Sequence, residues 1–335
     1  MTLNTILAAF ALLSLALTLW QWLAARRFPL HWRAPNTGVQ PGVTLLKPLK
    51  GSDAHTEACL RSWFVQEYGG ETQILFGVAS AEDLACGVVK KLLAEFPRSD
   101  AQLVVCPAQL GPNAKVSKLA QLEPLAKHEI IVVSDADVRA PTDLLANLVA
   151  VLRDDVRTIQ GSVSVVGNRS PGPPATHSPI NVGRSGARDA ATNKVGLVNC
   201  FYRLANPTTL AMQWEAIAIN ADFWSQVLQS ASFRRLDFAL GAVMATRHQQ
   251  LAEIGGFKAL VDCLADDYQL GHRIAQSGHR VELCPVVVDC WSAPMGWRAI
   301  WKHQLRWARS IRVCQSVPYF FSILKAWLQL LFLKP

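Results

Sequence analysis

In IIVVSDADVRAP, residues 130–141, an unbroken apolar, β-branched run ends in two aspartates one residue apart. Residues 130–133 read as a strand that is apolar on both faces, the pattern of a strand covered on both sides of its sheet. An isolated carboxylate is costly to bury unless it is paired or bound to a metal. Asp135 and Asp137 are therefore expected just past the strand's carboxyl end, where open α/β sheets bind ligands. Hard carboxylate oxygens there suit Mg2+ or Mn2+ bridging to phosphates. A solvated turn or a helix cap is the competing reading of the same D-x-D.

On either side of this stretch the chain alternates in period. Residues 43–51 (VTLLKPLKG) read as strand and loop, 58–68 as an amphipathic helix and 72–78 (TQILFGV) as a strand. Residues 84–96 read as a helix, 101–106 as a strand, and 115–128 as a helix disturbed by Pro124. Such alternation predicts an α/β fold, a parallel, doubly wound sheet with one nucleotide-type site. Neither G-x-G-x-x-G nor a Walker sequence is present, so a dinucleotide fold or P-loop has no motif behind it. Residues 161–194, rich in Gly, Pro, Ser and Asn, break the rhythm and read as a flexible insertion or long loop. Regular patterning resumes at VGLVNCFYRL, 195–204.

Half of the 335 residues are hydrophobic and only 17% are charged, as expected of a chain partly embedded in a membrane. From Thr2 to Ala25 no side chain is charged, a run long enough for a hydrocarbon core of roughly 30 Å. Trp20 and Trp22 would lie at the interface, with Arg26, Arg27 and Arg33 behind them. The positive-inside rule then places the chain beyond these arginines in the cytoplasm. A cleaved signal peptide fits less well, because no basic n-region precedes the apolar run. The apolar C-terminus, PYFFSILKAWLQLLFLKP, reads either as an interfacial amphipathic helix or as the start of a re-entrant or spanning one. These readings divide the chain into an anchor (1–25), a linker (26–42), a cytoplasmic domain (43–312) and a membrane-associated end (313–335). The net charge of +8 suits lipid headgroups or a phosphorylated small molecule. Nucleic acid is not expected, since there is no Lys/Arg block, RNP-like motif or zinc-finger spacing. The eight cysteines include no C-x-x-C pair and read as small core hydrophobes of a reducing compartment.

Two further clusters carry chemistry. In LADDYQLG, Asp266 and Asp267 precede an amphipathic helix, either capping it or supplying a general base whose basicity burial and neighbouring charge raise. In WKHQLRWARSIR, 301–312, Arg306, Arg309 and Arg312 recur at i, i+3. That pattern is either a membrane-surface helix with snorkelling arginines or an arginine grip on a diphosphate. The aromatic stretch around Trp214, Phe223 and Trp224 reads first as core and second as a contact for a lipid.

The order KPLKG, Asp83 after FGV, SDAD, GGFKALVDCLADDYQLG and RWARSIR, behind an N-terminal anchor, resembles the ceramide glucosyltransferase family of membrane-bound inverting glycosyltransferases. That family includes bacterial members and is related to the hopanoid-associated glycosyltransferases; the likeness spans roughly residues 43–325, the insertion excepted. It implies a GT-A type, Rossmann-like nucleotide-sugar domain on the cytoplasmic face of a bacterial plasma membrane. It also implies a UDP-sugar donor, UDP-glucose first, and a membrane lipid acceptor, ceramide first. A hopanoid acceptor with UDP-N-acetylglucosamine, a processive polysaccharide synthase, and a truncated non-catalytic nucleotide-sugar binder are the alternatives.

The resemblance assigns roles by position. Asp83 would contact uracil or ribose, and Asp135 and Asp137 would hold Mg2+ or Mn2+ and the diphosphate. Asp267 would take the acceptor's proton. Arg306 and Trp307 match the last two positions of Q-x-x-R-W, which binds the leaving UDP. Lys47, Lys50 and Lys115 would neighbour phosphate or uridine. The sequence departs from the pattern twice: His303 stands at the first position of Q-x-x-R-W with Gln304 one place later, and Asp266 replaces a Glu before the base.

Overall fold

A computed structural model describes residues 3–34, 40–153, 194–316 and 319–320. The expected insertion and the last fifteen residues, with their expected membrane association, lie outside the described residues, apart from Lys194.

The sheet is built on β1 (Val43–Pro48), β2 (Thr72–Val78) and β4 (Ile130–Ser134), which run parallel, with β3 (Asp100–Val105) outside β2. β1 and β4 are buried along their whole lengths. Alternate side chains feed two separate cores: Leu45, Ile74, Phe76, Ile130 and Val132 on one face, Leu46, Leu75, Ile131 and Val133 on the other. Helices Ala85–Glu95 and Leu144–Leu152 close the first face, and helix Ala114–Leu122 closes the second.

The parallel pairing expected from the alternation holds through β4, and beyond it the sheet changes character. β7 (Val243–Arg247) pairs antiparallel with both β4 and β6 (Val195–Leu204), and with β8 (Arg280–Cys290) and β5 (Val138–Arg139) the sheet order is β3-β2-β1-β4-β7-β6-β8-β5. β8 runs parallel to β6, and the short β5 joins it antiparallel. The result is a mixed sheet. A buried run such as Val243–Ala245 states burial but carries no direction, so the reversal was not legible in the pattern. The helix expected over 58–68 is shorter and earlier, Thr56–Arg61. At Pro124 the helix from Ala114 gives way to a 3-10 turn, Glu123–Leu125, as the disturbance implied.

The topology places the site. β1, β2 and β4 end on one edge, so the loops after Pro48, Val78 and Ser134 stand side by side. β7 starts there too, with Val243 opposite Ser134.

At the N-terminus, helix α1 (Leu3–Arg27) is the one described helix apolar enough to cross a membrane, with mean hydropathy 1.6 over Ala8–Arg27. Its length is about 37 Å at 1.5 Å per residue. Its last turns touch the domain: Trp20 Nε1 donates to Ser232 Oγ (3.0 Å) and Gln21 Nε2 to Gln229 Oε1 (2.9 Å), and just past its end Phe28 meets Phe201 edge-on.

Candidate active site

Asp135 and Asp137 begin where β4 stops, as the apolar run demanded. Their loop is held from below. Lys47, fully buried in β1, donates its ammonium to Asp135 O and to Ser134 Oγ (3.2 Å) and lies 5.3 Å from the Trp63 ring centroid. Burial lowers its pKa to about 8, against the raising charges of Cys59 and Asp137. Lys47 is therefore a strut under the loop, not the phosphate neighbour expected. A sequence could not tell which face of β1 it takes. Asp137 O accepts from Trp291 N (3.0 Å) and Cys59 Sγ (3.3 Å), which fixes the far side.

The second acidic pair comes from another element. Asp266 and Asp267 open the helix Asp266–Gln276, and neither caps it in the expected way: the N-cap is Ala265, without a side-chain bond. Asp267 Oδ1 accepts from Tyr268 N at 2.8 Å. What draws this pair to the first is Lys115, whose Nζ lies 2.6 Å from Asp135 Oδ1 and 3.4 Å from Asp266 Oδ2. Lys115 is aimed by Asn113, the N-cap of its helix. Asn113 Oδ1 accepts from Lys115 N and Val116 N, while Nδ2 donates to Cys263 O and Asp266 Oδ1. Gly241, just before β7, completes the junction. A Cβ there would stand 2.7 Å from Asp267 Oδ2, while Ala242 O accepts from Asp135 N (3.1 Å).

The electrostatics arise from this crowding. Asp267 is pushed up to about 6, first by burial and then by Asp266, with Lys115 opposing. Asp137 is exposed to solvent yet has protein on most sides. It too rises to about 6, through burial and the charge of Asp135. Two lysines, Lys47 and Lys115, do not balance four carboxylates. Among the described residues no three His, Cys, Asp or Glu converge as a metal cage. Mg2+ ordinarily takes one or two carboxylates and completes its shell from substrate phosphates and water. The residues present fit a divalent cation held in that way by Asp135 and Asp137.

The remaining expected residues fall around this centre. Asp83 Oδ1 accepts from Gly51 N and Ala85 N (both 2.9 Å), tying the loop after β1 to the start of the helix Ala85–Glu95. Gly51 adopts φ +69°, which favours glycine. Lys50 is exposed beside it, and the charges of Lys50 and Asp83 are both felt at Lys118. His303, Gln304, Arg306 and Trp307 lie on helix Trp297–Cys314. Trp307 is half-buried, 4.6 Å from the His303 ring and 6.4 Å from the Tyr202 ring. His303 Nδ1 (2.6 Å) and Gln304 Nε2 (3.0 Å) instead converge on Glu215 Oε1, a carboxylate buried in the helix Leu210–Ile217. Arg306 is exposed, and no ion pair joins it to the acidic cluster among the described residues.

The sequence reading missed Asn113, Lys118, Tyr202 and Glu215. Asn113 carried a signal, an N-cap residue two places before Lys115. Glu215 carried none, because its partners lie some ninety residues away. Tyr202 touches all three hydrophobic clusters, and burial, with Cys290, Asp267 and Asp135, holds its hydroxyl well above the usual range. Phe223 and Trp224 pack as core: Trp224 stacks on Phe201 and donates to Tyr202 O (2.8 Å). Trp214 stays exposed.

The chain is similar to known proteins. A model of the family described as Glycosyl transferase family 21 matches residues 5–170 and 181–334; the gap falls in the Gly/Pro/Ser-rich stretch. A ceramide glucosyltransferase of Candida albicans is 34% identical over 129 residues, 35% of this chain and 24% of that one. One from Komagataella phaffii is 35% identical over 115 residues, 33% and 22% of the two chains. The chain thus matches less than a quarter of the length of these curated relatives. Among solved structures, the mannosyltransferase PcManGT from Pyrobaculum calidifontis, in complex with GDP-Man and Mn2+, has a TM-score of 0.60. It covers 97% of this chain and 76% of its own at 21% identity, a likeness of fold.

Proposed function

The chain belongs to Glycosyl transferase family 21, and from that premise we propose that it moves a hexose from a UDP-sugar to a membrane lipid, with inversion. Glucose is the sugar and ceramide the acceptor in this reading, and the domain works on the cytoplasmic face of a bilayer that α1 crosses. The observation that carries it is the junction of two carboxylate pairs from distant elements, one beside the expected diphosphate position and one carrying a base raised to about 6. The named activity of the relatives supports the choice of lipid and sugar.

In this mechanism Asp267 accepts the proton of the lipid hydroxyl while that oxygen attacks the sugar's anomeric carbon, and the bond to the diphosphate breaks on the opposite face. A carboxylate near 6 is ionised at neutral pH yet more basic than an ordinary aspartate, which suits a general base. Asp135 and Asp137 would hold Mg2+ or Mn2+, which when bound neutralises charge on the departing diphosphate. Lys115, already within reach of Asp135, adds a fixed positive charge to the same position. Asp83, with Lys50 and Lys118 near it, forms the nucleoside end of the cleft, and Trp307 closes its wall.

The test is transfer from radiolabelled UDP-glucose, UDP-galactose and UDP-N-acetylglucosamine to ceramide and to a hopanoid, using membranes that hold wild-type chain or Asp267→Asn. Each is run with Mg2+ or with EDTA. A labelled ceramide that requires both the metal and Asp267 is expected. Product formed equally well by Asp267→Asn would overturn the base assignment, and label on another lipid or from another donor would replace the substrates.

A further inference from the structure

Two helices with no part in the acidic cluster's own geometry share an outward apolar surface. In the helix Leu210–Ile217 the inner residues Ala211, Met212 and Ala216 pack on Ile300, while Leu210 (73% exposed), Trp214 (46%) and Ile217 (68%) form an i, i+4, i+7 stripe facing out. In the helix Trp297–Cys314, Trp297 (59%) and Trp301 (66%) form a second stripe at i, i+4. Trp214 and Trp297 lie 6.2 Å apart, so the stripes are one patch. Glu215 fastens the helices from inside through His303 and Gln304, so the patch moves as a unit.

We propose that this patch, centred on Trp214, Trp297 and Trp301, is seated in the interfacial layer of a bilayer with anionic headgroups. Three observations choose that occupant. Tryptophan is enriched at membrane–water interfaces, where its ring is buried and its N–H stays wet. Next to the Trp297–Trp301 stripe the same helix carries a flank of exposed cations, Arg298, Lys302 and Arg309, which complements anionic headgroups. The helix Leu210–Ile217 also continues through a π-helical turn, Ala218–Phe223, into Trp224–Phe233. That helix holds the last turns of α1, with the Trp20 ring against Phe233. The end of α1, the helix proposed to cross the bilayer, therefore packs on the same helical run, Leu210–Phe233, that carries the Trp214 half of the patch, and in this proposal the run lies along the bilayer surface. The surface shares the bilayer with the proposed function and needs no sugar transfer.

The experiment places the photo-crosslinker p-benzoylphenylalanine, one position at a time, at Trp214, Trp301, Leu15 of α1 and the water-facing Lys90 in the full chain. The chain is reconstituted in nanodiscs of phosphatidylcholine and phosphatidylglycerol, and adducts are identified by mass. Lipid-mass adducts at 214, 301 and 15, and none at 90, are expected. Lipid at position 15 with peptide adducts at 214 and 301, from this chain or a second copy, would overturn the docking surface while leaving α1 in the bilayer. So would the absence of any adduct at those two positions. No lipid at position 15 either would remove the membrane premise from both proposals. Two positions on different helices keep the test valid if one replacement impairs folding.

Discussion

Lys115 Nζ stands between Asp135 and Asp266, 2.6 Å from one carboxylate and 3.4 Å from the other. Through it the loop after β4 and the helix bearing Asp267 share one cation. Burial by itself would lower this ammonium's pKa. Asp135 and Asp266 outweigh burial and leave it raised, so the contribution to stability is fully present at neutral pH.

Lys115→Met keeps the side chain's bulk and removes its charge. The bonds lost are charge-assisted and the carboxylates left behind are partly buried, so about 1.5–3 kcal/mol of stability should go. Donor binding should weaken with it. Thermal unfolding and UDP-binding calorimetry read the two effects, and an unchanged midpoint would mean the ammonium is idle.

The pH dependence has a definite sign. Asp267 sits near 6 when folded, against 3.8 as its ordinary value. Between those values the folded chain binds the extra proton, so stability from this group falls as pH rises from 4 to 6 and stays lower above. Activity runs the other way, rising through about pH 6 as the base ionises. Asp267→Asn should therefore abolish transfer yet stabilise the fold at pH 7.5, on the order of 1–2 kcal/mol after allowing for partial exposure. Urea unfolding at pH 7.5 and pH 4 checks this, since the gain must vanish at the lower pH.

Gly241→Ala puts a methyl group 2.7 Å from Asp267 Oδ2. The carboxylate is the part able to give way, so the fold should survive. A displaced base costs rate more than donor affinity, and kcat should drop about 10²-fold with the KM for UDP-sugar little changed. A matching rise in that KM would locate the damage in the donor site instead.

Glu215 is buried and accepts from two side chains. Glu215→Ala should cost about 2–3 kcal/mol, because both donors lose a charged acceptor inside the protein. Glu215→Gln keeps an oxygen for Gln304 and should recover part of that loss. Differential scanning calorimetry of the pair distinguishes a lock between the helices from a carboxylate that merely fills space.

Several features needed only the sequence. The apolar run 130–133 fixed the position of Asp135 and Asp137, because burying β4 on both faces leaves its end as the first place for a carboxylate. Strands 72–78 and 195–204 coincide with the patterns read for them, since covered strands write themselves as local apolar runs. The charge-free run before Arg26 and Arg27 corresponds to α1 on the same basis of composition.

Tertiary structure decided what those patterns do not encode. Pairing reverses at β7, which brings Gly241 and Ala242 to the edge where Asp135 begins and makes room for Asp267. Lys47, expected beside phosphate or uridine, turns under the loop instead, while Lys115 rises between the acidic pairs. Glu215 became a partner of His303 only when helices some ninety residues apart met. Burial and period are local properties, legible in a few consecutive residues. Strand direction, side-chain facing and ion pairing depend on which distant elements pack together, and that is set by the core as a whole.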